Sequence, residues 1–319
     1  MSFILEVHMI SASFFKKNYN TKTQYIGTFN KVKLYVKRED LIHPIVSGNK
    51  FRKLKYNLLE AIELESSGIL TFGGAYSNHI AATAEACRIL GLKSIGVIRG
   101  DELGKDIEKT LDENPTLKFA HQKGMQLVFI SRSDFRLKEE CSVVKFLIKN
   151  QPSISIIPEG GTSSLAVKGC KEIVDPQDDF DIICSSVGTG GTLAGLIEAS
   201  ENHQQCIGFS ALKGDFLKKE ISKWTNKTNW ELQSSYHFGG YAKVNSELIE
   251  FINEFQDTYN IPLDPIYTGK MFYGIFDMIE AGFFPKNTRI LAIHTGGLQG
   301  IEGMNRKLKQ KGCNTINRL

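Results

Sequence analysis

Four short apolar runs in this chain each end in a glycine-rich turn and then give way to an amphipathic stretch. They are GILTFGG (68–74), SISIIPEGG (153–161), FDIICSSVGTGG (180–191) and TRILAIHTGG (288–297). A run that is apolar at successive positions suits a strand buried on both faces, and glycine lets the chain turn tightly into a following helix. Strands separated by helices in this way require parallel sheets covered by helices on both sides, an α/β architecture. In an open parallel sheet the turns after the strands lie where ligands bind. One glycine turn carries no message beyond tight geometry. Four, each followed by hydroxyl or amide residues, predict a shared ligand rim.

The rest of the chain keeps this alternation. VKLYVKRE (32–39), KSIGVIRG, MQLVFIS and CIGFSALKG read as further strands. Helices are predicted over 48–67, where Leu54, Leu58, Ile62 and Leu64 fall near one face, and over 77–90, opened by a Ser-Asn cap. More are predicted near 135–149 and 165–174, from Thr192, and from Leu298. With 319 residues the chain can bury one large or two modest cores. Its 39 basic residues are dispersed among 35 acidic ones, for a net charge of +4, so no basic block marks a nucleic-acid partner. No apolar run is long enough for a membrane span, and the N-terminus lacks the layout of a signal peptide. The six cysteines form no CxxC pair and no metal-ligand spacing; they read as small buried residues in a reducing compartment, and the expected location is cytoplasmic.

Three segments carry chemistry. SSVGTGGTLAGL (185–196) passes from a strand end into a helix, where glycine N–H groups, threonine hydroxyls and the helix dipole suit a small phosphate. It is neither a Walker A loop nor GxGxxG, which argues against a nucleotide-binding oxidoreductase. SGNKFRKLK (47–55) sets Lys50 at the start of a helix, whose positive end disfavours ammonium and favours the neutral amine that Schiff-base chemistry needs. TFGGAYSNHI (71–80) gathers Ser77, Asn78 and His79 at another helix start, a place suited to a carboxylate.

These segments, with VKREDLIHPIVSGNKFRKLKYNL, IPEGGTSSLAVKGC, FGGYAK, DPIYTGK and IHTGG, occur in an order that resembles the fold-type II pyridoxal 5′-phosphate (PLP) enzymes related to the tryptophan synthase β chain. More narrowly they resemble the group containing 1-aminocyclopropane-1-carboxylate (ACC) deaminase and D-cysteine desulfhydrase. The resemblance implies a PLP-dependent lyase with Lys50 carrying the cofactor, Asn78 bonding its 3′-oxygen, and the loop Gly188, Thr189, Gly190, Gly191 and Thr192 holding its phosphate. Ser77, Asn78 and the turn to His79 would take the substrate carboxylate, and Tyr241 and Tyr267 would line the active site. Where the motifs fall predicts a larger domain of residues 1–51 and 159–319, a smaller α/β domain of 52–158 inserted in it, and the cofactor in the cleft between them; the resemblance implies a homodimer.

Thr268 and Thr295 stand where ACC deaminases carry glutamate and leucine, and match the desulfhydrase pattern. The glutamate partners the pyridine nitrogen in the deaminases, so Thr268 is expected beside that nitrogen. A hydroxyl there leaves the ring a weaker electron sink than a carboxylate does, which suffices when the β-carbon carries a good leaving group. The expected reaction is α,β-elimination on a small amino acid, D-cysteine giving pyruvate, sulfide and ammonia, with Lys50 as first choice for the base and Ser77 or a tyrosine assisting. ACC deaminase is the alternative, and a non-catalytic PLP carrier is an alternative of another class.

Overall fold

A computed structural model describes residues 13–15 and 21–317. The first two strands form a hairpin the sequence did not announce: β1 (Thr23–Phe29) and β2 (Val32–Lys37) pair antiparallel. Asn30 and Lys31 make the two-residue turn with φ of 47° and 68°, the left-handed pair that matches strand twist. Helix α1 (Asn49–Glu63) then leads to β3 (Gly68–Gly74), α2 (Asn78–Leu90) and β4 (Lys93–Arg99). Next come α3 (Ile107–Glu113), α4 (Pro115–Gln122), β5 (Met125–Ile130), α5 (Arg132–Leu137), α6 (Ser142–Asn150) and β6 (Ile154–Ile157). Strands β3 to β6 form a parallel four-stranded sheet in the order β5-β4-β3-β6.

Beyond it run α7 (Ser164–Lys171), β7 (Ile182–Val187), α8 (Gly191–Ala199), β8 (Gln205–Ser210), α9 (Phe216–Ile221) and β9 (Trp230–Gln233). Helices α10 (Ser246–Tyr259) and α11 (Thr268–Glu280), strand β10 (Arg289–Ile293) and helix α12 (Gly300–Gln310) complete the chain. The second sheet has the order β1-β2-β10-β7-β8-β9, and every pair but the β1–β2 hairpin is parallel.

Each sheet is covered on both faces, as its apolar strands demand. In the larger sheet, Leu34, Val36, Ile182, Ile207 and Ala292 pack under α10, α11 and α12, while Ile183, Val187, Leu291 and Ile293 pack under α7, α8 and α9. In the smaller, Leu70, Phe72, Ile95 and Val97 meet Phe135 and Val144, while Ile69 meets Leu54, Leu58, Ala82 and Ala86. The helix predicted near 135–149 is two helices, because Lys138 turns left-handed (φ 51°) and Cys141 is extended. Helix α7 lies tightly against α1: a Cβ on Gly169 would stand 2.0 Å from the Arg52 carbonyl oxygen, so only glycine fits that approach. Among the described residues no helix is long and apolar enough to cross a membrane, and no group of three His, Cys, Asp or Glu could hold a metal ion.

Candidate active site

The four glycine turns deliver their residues to one cleft of ≈ 620 Å³. Its wall takes Ser77, Asn78 and His79 from the turn after β3, Gly160 from the turn after β6, Ser186 to Gly190 and Thr192 from β7 and its turn, and Thr295 and Gly296 from the turn after β10. Asn49, Lys50 and Lys53 of α1 supply its floor, and Tyr241 and Tyr267 enter from two loops.

Lys50 owes its place to Gly48. That residue caps α1 with φ 59°, and a Cβ there would stand 2.0 Å from the Thr295 carbonyl oxygen. The Asn49 N–H donates to the same carbonyl at 3.2 Å, fastening the turn to the loop after β10. Behind it, Arg52 grips the buried Glu39 carboxylate through two bonds of 2.9 Å, fixing α1 against the chain that follows β2. The Lys50 ammonium has one side-chain acceptor, Asn49 Oδ1, at 2.9 Å. Burial, then the neighbouring Lys53 charge, lowers its pKa to about 7. Near neutrality much of Lys50 is therefore the free amine, a nucleophile toward an aldehyde.

One helical turn on, Lys53 is buried beside the glycine loop and donates to Gly160 O (3.1 Å), Thr162 Oγ1 (3.0 Å) and Thr189 Oγ1 (3.2 Å). All three acceptors are uncharged, so its positive charge has no carboxylate bonded to it among the described residues. Facing it, the first turn of α8 presents N–H groups that have no acceptor within the helix. Thr192 accepts from Asn49 Nδ2 at 2.9 Å, so Asn49 joins the lysine end of the cleft to the loop end. Cation, hydroxyls and free N–H groups together make a receptor for a dianion. Lys53 and Asn49 were not among the residues singled out from sequence. The signal available was a second lysine at i+3 from Lys50, on the same side of the helix.

Ser77 caps α2, its hydroxyl accepting from the Ile80 N–H at 3.4 Å. Asn78 has a buried amide oxygen with no hydrogen-bond partner in the described structure, and so does His79 at Nδ1. The His79 tautomer follows from its neighbour. The Thr71 hydroxyl donates its single proton to Ile157 O (2.8 Å), so His79 Nε2, 2.8 Å away, must donate to that hydroxyl, leaving Nδ1 a bare lone pair. Burial and the two lysine charges hold the ring well below its usual pKa, hence neutral. A carboxylate at this turn would find no free donor on the His79 ring, whose unpartnered atom is that lone pair.

The threonine pair splits. Thr295 lines the cleft, its hydroxyl 3.0 Å from that of Ser186. Thr268 does not: it is fully buried, its hydroxyl donates to Asp264 Oδ2 (2.7 Å) and accepts from the Asp264 N–H (2.9 Å). The expectation that Thr268 meets the pyridine nitrogen is corrected by this geometry. Asp264 also accepts from the N–H groups of Ile266, Tyr267 and Thr268, so the threonine completes the cap of α11. That cap presents Tyr267, whose ring lies edge-on to Tyr241 at 6.2 Å. Burial, with Tyr241 and Asp264 adding to it, pushes the Tyr267 phenol well above its usual pKa, so it keeps its proton. The Tyr241 loop hangs from α11, since the buried Lys270 ammonium donates to His237 O and Gly240 O, both at 2.8 Å.

A desolvated lysine beside a dianion receptor, at the carboxyl ends of parallel strands, defines a protein built to hold a phosphorylated carbonyl compound. Residues 17–296 match the protein family described as "Pyridoxal-phosphate dependent enzyme", and this chain belongs to that family. It is 35% identical over 298 residues to a Thermotoga maritima protein named "Putative 1-aminocyclopropane-1-carboxylate deaminase", covering 86% of this chain and 92% of the relative. It is 31% identical over 309 residues to the mitochondrial bifunctional D-cysteine desulfhydrase/1-aminocyclopropane-1-carboxylate deaminase of Arabidopsis thaliana, over 86% of this chain and 75% of the relative. The crystal structure of an ACC deaminase homologue superposes with a TM-score of 0.79 at 27% identity, over 94% of this chain and 98% of the other. The fold is that of fold-type II PLP enzymes, and PLP is the cofactor of the family.

The residues present fit that cofactor. The unpartnered Asn78 amide oxygen, the Lys53 charge without a bonded carboxylate, and the free N–H groups of α8 are all groups that a ligand with a phosphate and a ring hydroxyl would satisfy.

Proposed function

We propose that this chain is a lyase that performs α,β-elimination on a small amino acid, with D-cysteine giving pyruvate, sulfide and ammonia. The observation that carries the reading is the absence of any aspartate or glutamate from the cleft wall among the described residues; the hydroxyls of Ser186 and Thr295 are there instead. Bound PLP supplies a ring that delocalises the electron pair left at the α-carbon, more strongly when a carboxylate keeps its nitrogen protonated. A wall of hydroxyls suits a substrate whose β-substituent leaves readily.

Within this reading Lys50 carries the cofactor, Lys53, Thr189, Gly190, Gly191 and Thr192 hold the phosphate, and Asn78 bonds the ring hydroxyl. Ser77 and the backbone of the α2 turn orient the substrate carboxylate. Lys50, displaced by the substrate amine and close to neutral pKa, takes the α-proton. Tyr267, still protonated, supplies a proton at the opposite wall. The active unit is a homodimer on this reading, to be checked by sedimentation.

A second reading, ACC deaminase, is favoured by the name of the Thermotoga relative at 35% identity. Product analysis separates the two. Sulfide and pyruvate from D-cysteine support elimination, whereas 2-oxobutyrate from ACC, with D-cysteine unconverted, supports ring opening. A yellow protein that converts neither overturns both and leaves the carrier.

A further inference from the structure

A second hollow, ≈ 960 Å³, adjoins the cleft, and Tyr241 stands in the walls of both. Its wall brings together Arg99, Arg132 and Lys307 with one carboxylate, Glu102. Glu102 is consumed by Arg132 at 2.7 Å. Lys138, which lies over the Phe135 ring, is likewise paired with Glu159 at 2.7 Å. Two cations are left without a carboxylate partner among the described residues. Lys307 lies over the Tyr76 ring, 4.2 Å from its centroid. Arg99 has no hydrogen-bonded or ion-paired partner there and rests near the Phe135 ring at 5.8 Å.

The position of Arg99 gives this charge a use. Arg99 ends β4 and pairs in register with Gly74, which ends β3. A Cβ on Gly74 would stand 3.7 Å from the Arg99 guanidinium, and the Gly74 carbonyl accepts the Ser77 N–H at 3.0 Å. The guanidinium therefore stands beside the turn that carries Ser77 into the cleft, with its five donors uncommitted. A free guanidinium next to a substrate turn, in a hollow with net positive charge, selects an anion.

We propose that this hollow receives the anionic end of a larger substrate, an amino acid whose β-substituent carries a carboxylate or phosphate, bound by Arg99 and attracted over a longer range by Lys307. The inference rests on the elimination reading and extends it, since D-cysteine would fill the cleft and leave the hollow empty. In the reaction the Cα–H and Cβ–X bonds break, and X departs with the bonding pair. The 2-aminoacrylate left behind takes up water and yields pyruvate and ammonium.

The test uses the holoenzyme and pyruvate formation from both enantiomers of matched substrates. S-carboxymethylcysteine and O-phosphoserine carry the anion; S-ethylcysteine and β-chloroalanine do not. The anionic substrates are expected to have the higher kcat/KM, with an advantage that shrinks as salt is raised. Arg99→Gln should cut the anionic-to-neutral ratio of kcat/KM by about tenfold, mainly through KM, with Arg99→Lys retaining part of it. A ratio that ignores Arg99→Gln, or pyruvate from the neutral substrates alone, overturns the anion site and leaves the lyase standing. Pyruvate from none of them, D-cysteine included, overturns the lyase reading and this proposal with it.

Discussion

Lys50 and Lys53 sit one turn apart on the same helix, both desolvated, yet their surroundings set opposite chemistry. Lys50 has a single side-chain acceptor, the amide oxygen of Asn49, and its pKa falls to about 7. Lys53 has three oxygen acceptors, which support an ammonium and direct it at the glycine loop. The lesson is that burial alone does not make a lysine a nucleophile. Burial lowers the pKa of both; on Lys50 the neighbouring Lys53 charge lowers it further, to about 7, while Lys53 directs its three hydrogen bonds at the glycine loop.

The sharpest way to break the comparison is to exchange the partners' fates. Lys50→Ala should lower turnover by about a thousandfold or more, the scale of a lost nucleophile and proton carrier. Borohydride followed by peptide mass spectrometry should find the cofactor on Lys50 in the native protein and on no lysine in the variant; label on Lys53 would dissolve the distinction.

Next in size, Lys53→Met should weaken PLP binding by about ten- to a hundredfold, the range for a lost charged hydrogen bond. Titration of the visible absorbance band should recover with excess cofactor. An unchanged affinity would show that the loop holds phosphate without this cation.

The pKa itself sharpens the contrast. As pH rises the neutral amine fraction of Lys50 grows, so the rate of PLP capture by the apoprotein should climb with a midpoint near pH 7 and not near 10.5. Linkage gives the matching stability effect. Between the folded and unfolded pKa values the unfolded chain binds more protons, so apoprotein stability should rise with pH across that interval. Stopped-flow mixing and urea midpoints read the two effects separately.

The smallest effect comes from a third buried lysine. Lys270, with two carbonyl acceptors, has a pKa lowered to about 8 by burial. Lys270→Met should remove its share of the stability rise above pH 8 and speed amide exchange over residues 237–241. A wild-type exchange pattern would mean that the tyrosine loop is held by packing alone.

The alternation of glycine-tipped apolar runs made the α/β class, the parallel strands and the cleft-lining turns legible before any coordinates. That Lys50, Ser77, Asn78 and the loop from Gly188 line one cleft was legible because each sits at the start of a helix. Other features have no local sequence signature. The β1–β2 hairpin uses Asn30 and Lys31, not the usual Asn-Gly, to adopt positive φ. Lys53 reads as an ordinary helical lysine until Gly160, Thr162 and Thr189, more than a hundred residues away, surround it. Thr268 shows why a matching motif position is not a contact. Which way its hydroxyl turns is decided by Asp264 four residues earlier, and only three-dimensional structure reveals that choice.

One consequence follows from how the tyrosines are hung. Tyr267 is presented by the Asp264 cap at the front of α11, and the Tyr241 loop is tethered to Lys270, in the first turn of the same helix. The two phenols therefore share a single mount. Whatever loosens the first turn of α11 removes the support of both rings at once.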